Sequence, residues 1–204
     1  MPPPRKFSTL STSHRISNFR SYPDTVLDLV FFAAVSSDGF LAGADGDMTW
    51  AEKYLTPDED YGFVDLMAST SALIMGSKTF DFNLQAMGGE PQPLPTFVLT
   101  NSPMKYDGLT DPNVHLIHGP LDVVLDELQN HVSGQMLILG GADVVRQALD
   151  IGRLSTVRLF VTPDVLGEGL PLFEGEIEGA LSAFDLASTR QFASGLRELE
   201  YRLN

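Results

Sequence analysis

Twice in this chain a short apolar run ends at glycine and passes straight into a helix-forming stretch. The first is Leu73-Ile74-Met75-Gly76-Ser77-Lys78-Thr79-Phe80, and the second is Leu137-Ile138-Leu139-Gly140-Gly141-Ala142-Asp143-Val144-Val145. A buried strand feeding a helix through so tight a turn is the building unit of a parallel sheet, because the helix must carry the chain back across a sheet face before the next strand can begin. The rest of the chain keeps the alternation. Apolar runs predict strands at 26–35, 40–42, 71–75, 96–100, 114–117, 135–139 and 155–162, and helical patterns fall at 78–87, 121–131 and from Gly141 to about Gly152. Thr56-Pro57-Asp58-Glu59 reads as a cap, a proline in the first helical position and acids in the first turn, which predicts a helix over 57–69 with Phe63, Leu66 and Met67 as its buried stripe. The C-terminal runs 184–191 and 196–203 read as an antiparallel pair, since Leu199, Tyr201 and Leu203 alternate with Glu198, Glu200 and Arg202. The expected fold is α/β: a three-layer αβα arrangement around a mostly parallel sheet of about eight strands, closed by an antiparallel C-terminal strand pair.

Charge narrows the function classes. Thirteen basic and 27 acidic residues give a formal charge of −14, which argues against a nucleic-acid partner held by a general basic surface. The imbalance is uneven. Residues 1–23 hold Arg5, Lys6, Arg15 and Arg20 and no acid, so this stretch is +4 and the remainder −18. With Pro2 to Pro4 and many Ser and Thr residues, 1–23 reads as a flexible basic arm that lies on its own acidic body or on a partner subunit; an acid-free, Arg/Ser-rich opening is also what a transit peptide looks like. Residues 24–204 form one expected domain. The absence of cysteine excludes disulfides, thiolate metal sites and cysteine nucleophiles and leaves cytoplasm as the default compartment. His115 and His118, three apart on a strand, face opposite ways, so no metal site is expected. The apolar run 26–35 is interrupted by Asp28 and is about half of the roughly 20 residues a membrane helix needs.

Ligands of parallel sheets gather at the carboxyl ends of the strands, where helix N-termini present free N–H groups. Gly140 and Gly141 let a phosphate approach the backbone at the start of a helix; a glycine pair also makes a plain strand-to-helix turn. Neither G-x-G-x-x-G nor the P-loop is present, the latter because it would need glycines where Ala72 and Ser77 stand. Lys78 and Thr79 follow Gly76 at a helix start and can grip phosphate oxygens by charge and hydrogen bond. Thr100-Asn101-Ser102 ends a third strand in small polar groups. Asp38, in Ser36-Ser37-Asp38-Gly39, is a turn former and also a substrate-pocket candidate, and Trp50 serves either the pocket or the core.

Taken in order, a strand with S-x-D-G, then G-x-K-T, a strand with T-N-S and finally I-x-G-G, the chain resembles the dihydrofolate reductase-like superfamily, and within it the C-terminal reductase domain of the bacterial riboflavin-biosynthesis deaminase-reductase. Val35-Ser36-Ser37-Asp38-Gly39-Phe40-Leu41-Ala42, Gly46-Asp47, Trp50 and the stretch 159–173 carry the likeness. The resemblance implies NADPH lying across the carboxyl edge. Its pyrophosphate would meet Gly140, Gly141, Ala142, Asp143 and Val144 on one side and Gly76, Ser77, Lys78 and Thr79 on the other. The adenosine end would lie near Thr100, Asn101 and Ser102, and the nicotinamide near Ala34 and Leu41. The implied reaction is hydride transfer to a C=N or C=O carbon of a small heterocycle, of the 5-amino-6-ribosylaminopyrimidine phosphate type, by a homodimer. Two departures are visible. Ser77 stands where the family often has arginine, which leaves NADPH over NADH open, and Leu55 stands where folate-reducing relatives carry an acid, the nearest acids being Asp58, Glu59 and Asp60, which would reach the pocket only if the helix begins later than expected. Dihydrofolate reduction, and a non-catalytic nucleotide-binding or assembly module on the same fold, are the alternatives.

Overall fold

A computed structural model describes residues 27–173 and 177–204, so the arm expected over 1–23 and the boundary at residue 24 lie outside the described residues. An eight-stranded sheet organises the chain, in the order β5-β4-β3-β6-β1-β7-β10-β9. The strands are β1 Leu27–Val35, β3 Thr70–Gly76, β4 Thr96–Leu99, β5 Val114–Ile117, β6 Gly134–Gly140, β7 Leu154–Val161, β9 Phe184–Gln191 and β10 Arg197–Leu203. The first six in spatial order pair in parallel, and β10 closes antiparallel on β7 and then on β9. The expected mostly parallel sheet with an antiparallel C-terminal pair is what the chain forms. A second sheet of two strands, β2 Phe40–Ala42 and β8 Leu170–Pro171, was not expected in full, because two residues carry no period.

Helices cover both faces. On one, α4 Leu121–Leu128 and α5 Ala142–Asp150 press Leu121, Leu125, Leu128, Val144, Val145 and Ala148 onto Leu29, Phe31, Ile74, Phe97, Met136 and Ile138. On the other, α2 Phe63–Ser69 and α3 Ser77–Ala86 set Leu66 and Phe80 against Val30, Leu73, Met75, Val98 and Leu137. Adjacent residues of one strand thus feed two cores, which is why the middles of β1, β3 and β6 read as apolar runs without alternation. Each such side chain, fully buried, contributes about 1.5–3 kcal/mol. Among the described residues no helix is long and apolar enough to cross a membrane.

One helix begins six residues later than expected. The residues 57–62 form a turn, with Thr56 bridged to Glu59, and α2 starts at Phe63. Tyr61 and Gly62 take positive φ (55° and 75°), which ends any helix begun upstream. The driving contact is tertiary: Tyr61 is buried edge-on against Phe160 and Phe192, with ring centroids 6.0 and 4.9 Å away. Consequently Phe63 is 37% exposed, resting on Phe32, and only Leu66 of the expected stripe is fully buried. The helix expected to reach His131 stops at Leu128.

Candidate functional site

The strand ends that the sequence singled out meet at one edge. Gly76 closes β3 opposite Leu99 of β4, and Met75 lies opposite Gly140 of β6, so the turns into α3 and α5 stand side by side. Their backbones nearly touch. A β-carbon built on Gly141 would lie 3.2 Å from the Gly76 amide nitrogen, and one on Gly140 would lie 3.1 and 3.2 Å from the Thr79 methyl and hydroxyl. Both glycines also hold left-handed φ (145° and 89°), so a side chain here is opposed twice, by tight space and by conformation. Neither α3 nor α5 has a side-chain cap, and both therefore offer first-turn amides and a positive dipole end to the same crevice.

That crevice suits a pyrophosphate. Lys78 is exposed beside it, and the one acid of the first turn of α5, Asp143, is drawn onto Arg146 (2.6 Å). Ala142 and Asp143 supply amides, whereas the Val144 amide already donates to the Gly141 carbonyl at 2.9 Å. Thr100 is buried and its hydroxyl accepts the Ser102 amide at 3.1 Å, so it shapes the turn while Asn101 and Ser102 face outward.

Next to the crevice the sheet opens. The β1–β6 ladder ends at Phe31 opposite Ile138, while β1 runs on to Val35 paired to β7 alone. The β6-facing edge of Phe32 to Val35 is therefore free of strand pairing. Ala34 is half-buried there and packs on the Tyr54, Tyr61, Phe160, Phe192 and Leu196 cluster. Leu41 packs against the opposite core, so the structure does not bring these two into one contact.

Asp38 sits in the turn between β1 and β2, and Trp50 in the connection that follows β2. The Asp38 carboxylate accepts the Ser36 hydroxyl (2.6 Å), the Gly167 amide (2.7 Å) and the Leu166 amide (3.1 Å), stitching the β1–β2 turn to the loop after β7. Burial opposes its ionisation, and these donors outweigh it, so the carboxyl stays below its ordinary range. Trp50 lies in the one-turn helix α1, Thr49–Glu52, whose first amide, that of Thr49, donates to the Asp47 carboxylate at 3.0 Å. Its Nε1 is buried and, among the described residues, has no hydrogen-bond partner.

One group at this edge escaped the sequence reading. Asp164 accepts Lys53 Nζ at 2.5 Å and the Tyr54 hydroxyl at 2.7 Å, and its carbonyl takes the Ser37 amide at 2.7 Å. The Lys53 and Tyr54 hydrogen bonds hold its carboxyl below the usual range; Tyr54 is raised by burial and by the Asp164 acceptor. Three segments around the opening are thereby clasped at one residue, Lys53 and Tyr54 through its carboxylate and Ser37 through its carbonyl, across separations of more than 100 residues that no local motif could flag. Asp58, Glu59 and Asp60 lie just ahead of the late start of α2. Glu59 accepts the Tyr61 amide, and Asp60 accepts the Gly62 and Val64 amides at the head of α2. Among the described residues no cluster of three or more His, Asp or Glu forms that could hold a metal ion.

With this geometry in place, comparison with known proteins is decisive about kinship. The model of the RibD C-terminal domain matches residues 28–197. This chain belongs to the RibD C-terminal domain family. An uncharacterized protein of Bacillus subtilis strain 168, YyaP, is 27% identical over 187 residues, which is 88% of this chain and 94% of that protein. A putative riboflavin biosynthesis protein from Shewanella sp. PV-4 is 28% identical in a structural match of TM-score 0.72, covering 87% of this chain and 99% of the other. Dihydrofolate reductase from Enterococcus faecalis, solved in complex with NADP(H), matches with TM-score 0.60 at 19% identity over 87% of this chain and 96% of its own. That last likeness is one of fold.

Proposed function

We propose that this chain is a reductase that passes hydride from NADPH to a C=N or C=O carbon of a small heterocycle, of the riboflavin-pathway aminopyrimidine type. The observation that carries the reading is the Gly76–Gly141 crevice between two uncapped helix N-termini, in a chain of the RibD C-terminal family. The cofactor, when bound, supplies the hydride. The chain's own residues bind and orient. Gly140 and Gly141 admit the pyrophosphate to the backbone, and the amides at the starts of α3 and α5, with Lys78 and Thr79, neutralise it. Asn101 and Ser102 face the adenosine end, and Ala34 and Leu41 border the nicotinamide from two sides. The Trp50 indole N–H, buried and unpaired among the described residues, is a donor for a ring carbonyl of the substrate. Asp38, its carboxylate already engaged, acts by holding the loop. Alignment of two rings in a cleft that excludes water is the part a protein plays in such a transfer.

Dihydrofolate is the weaker candidate. Leu55, 78% exposed, occupies the place of the acid, and the three nearby acids are surface groups or bonded to backbone amides. A carboxylate that holds a protonated ring nitrogen is worth several powers of ten in rate.

Fluorescence titration of NADPH tests the crevice: Gly141→Val should lose at least tenfold in affinity, on the order of 1.4 kcal/mol or more, while keeping the parent's circular dichroism. Unchanged affinity in a folded variant places the cofactor elsewhere. NADPH oxidation should be fastest with aminopyrimidines and slower by orders of magnitude with dihydrofolate. Binding without turnover on pterins, pyrimidines and carbonyls would instead favour the non-catalytic module.

A further inference from the structure

Two segments are attached to the free end of β1, and both are strongly acidic. Residues 36–62 follow Val35 directly and return to the strand through Tyr54 and Tyr61, which share a cluster with Ala34. Residues 163–173 follow β7 next to Val35, whose carbonyl accepts the Thr162 amide at 2.9 Å. Asp164 ties the second segment to the first through Lys53, Tyr54 and Ser37. The first segment holds seven acids and one base, Lys53, and the second holds two acids and no base.

Amides that could receive an anion are here taken by the chain's own carboxylates. Asp38 holds those of Leu166 and Gly167, Asp47 that of Thr49, Glu59 that of Tyr61, and Asp60 those of Gly62 and Val64 at 3.0 and 3.1 Å. The lone base is taken as well, since Lys53 Nζ lies 2.5 Å from Asp164. The nearest cations on neighbouring elements are also engaged: Arg158, beside the Phe32 ring, bonds Glu198, and Arg190 lies over the Phe192 ring at 4.4 Å. The Thr49 amide holds the Asp47 carboxyl, the Gly62 and Val64 amides hold that of Asp60, and Lys53 with Tyr54 hold that of Asp164 below the usual range, so these groups stay charged at neutral pH. The donor left open among the described residues of these segments, Trp50 Nε1, is uncharged. The crevice is the reverse case, with two uncapped helix starts and an exposed Lys78. A cleft bordered by one sign of charge changes the local concentration of a charged ligand by about 10- to 1000-fold, and a phosphate monoester brings a charge of about −2.

We propose that the substrate of this chain carries no phosphate or other anionic group: the segments at the free end of β1 accept a neutral or cationic heterocycle and repel an anionic one. The inference rests on the reductase reading above and departs from the phosphorylated pyrimidine that the resemblance implies. It is tested on the full chain with NADPH and two matched compounds, 5-amino-6-(5-phosphoribosylamino)uracil and the same molecule without its phosphate. At low ionic strength the dephosphorylated compound should have a kcat/KM at least tenfold higher. Raising the salt from about 0.01 M to about 0.15 M, which shortens the screening length from about 30 to about 8 Å, should narrow that ratio. Glu52 and Glu168 are exposed and make none of the bonds described above, so Glu52→Lys/Glu168→Lys should raise kcat/KM for the phosphate at least fivefold and change it less than twofold for its uncharged partner. If the parent turns over the phosphate as well as or better than the uncharged compound, the inference falls and the reductase reading stands. A preference for the uncharged compound that neither salt nor the double variant moves assigns the discrimination to shape, and again only the inference falls. If the folded parent binds NADPH and oxidises it with neither compound, nor with other neutral or cationic pyrimidines and pterins, the inference and the reductase reading fall together.

Discussion

Gly169 marks the tightest approach among the described glycines. A β-carbon there would stand 2.1 Å from the Ala42 carbonyl oxygen and 2.9 Å from the Gly43 Cα, at a φ of +145°. Backbone, unlike the end of a flexible side chain, cannot yield locally, so the β2–β8 pair must separate to admit a methyl group. Gly169→Ala should cost about 2–4 kcal/mol of stability, read as a lower urea midpoint, with loss of the contact that seats Leu41. Asp38 illustrates the other half of residue-scale reading. Asp-Gly was legible as a turn, but which groups the carboxylate would serve depended on amides 128 and 129 residues away. Trp50 is similar: its presence was visible, whereas its unpaired Nε1 follows from how α1 is laid against the body.

Among the elements, β5 carries a built-in pH response. His115 is half-buried and stacked on Phe97 at 5.1 Å, and burial, opposed by Asp111, holds its imidazole below the ordinary histidine range. The unfolded chain therefore takes up this proton more readily than the folded one, so the stability His115 contributes is complete above about pH 6.5 and erodes as pH falls from there toward the lowered value. Thermal melts between pH 7.5 and 5.5 should show this decline, and His115→Phe should flatten it; an equal slope in the variant would assign the response to other groups. The element boundaries show where local reading stops. β3 with α3, and β6 with α5, were legible because an apolar run, a glycine and a helix period are all local signals. The start of α2 was not, because Thr56-Pro57-Asp58-Glu59 has every mark of a helix cap and yet the burial of Tyr61 between Phe160 and Phe192 outweighs it.

For the whole molecule, among the described residues, the sheet is closed at neither end, and β9 is its exposed margin. Seven consecutive residues, from Asp185 to Gln191, are exposed, and Leu186 is 51% exposed on a strand with one edge unpaired among the described residues. Such an edge is a template for another strand. Together with the +4 charge of residues 1–23 against the −18 of the rest, it motivates the proposal of a homodimer. Light scattering at micromolar concentration should give twice the 22.2 kDa chain mass, and added salt should weaken the association if the basic segment takes part. A monomer in low salt would remove the idea.

Sequence by itself determined the class of the sheet, the antiparallel closure and the two glycine-bearing strand ends, because apolar period, glycine and cap chemistry act over a few residues. It also determined what the chain could not be: with no cysteine there is no disulfide, and with 27 acids there is no general basic surface. Only the tertiary structure decided that Gly76 and Gly141 face each other, that Lys53, Tyr54 and Asp164 meet, and that Asp81 draws Lys105 toward the same flank. Those contacts span from 24 to more than 100 residues. The longer-range ones exist because strand order in the sheet differs from strand order in the chain, placing β3 beside β6 and β1 beside β7, and no local pattern of side chains records that permutation.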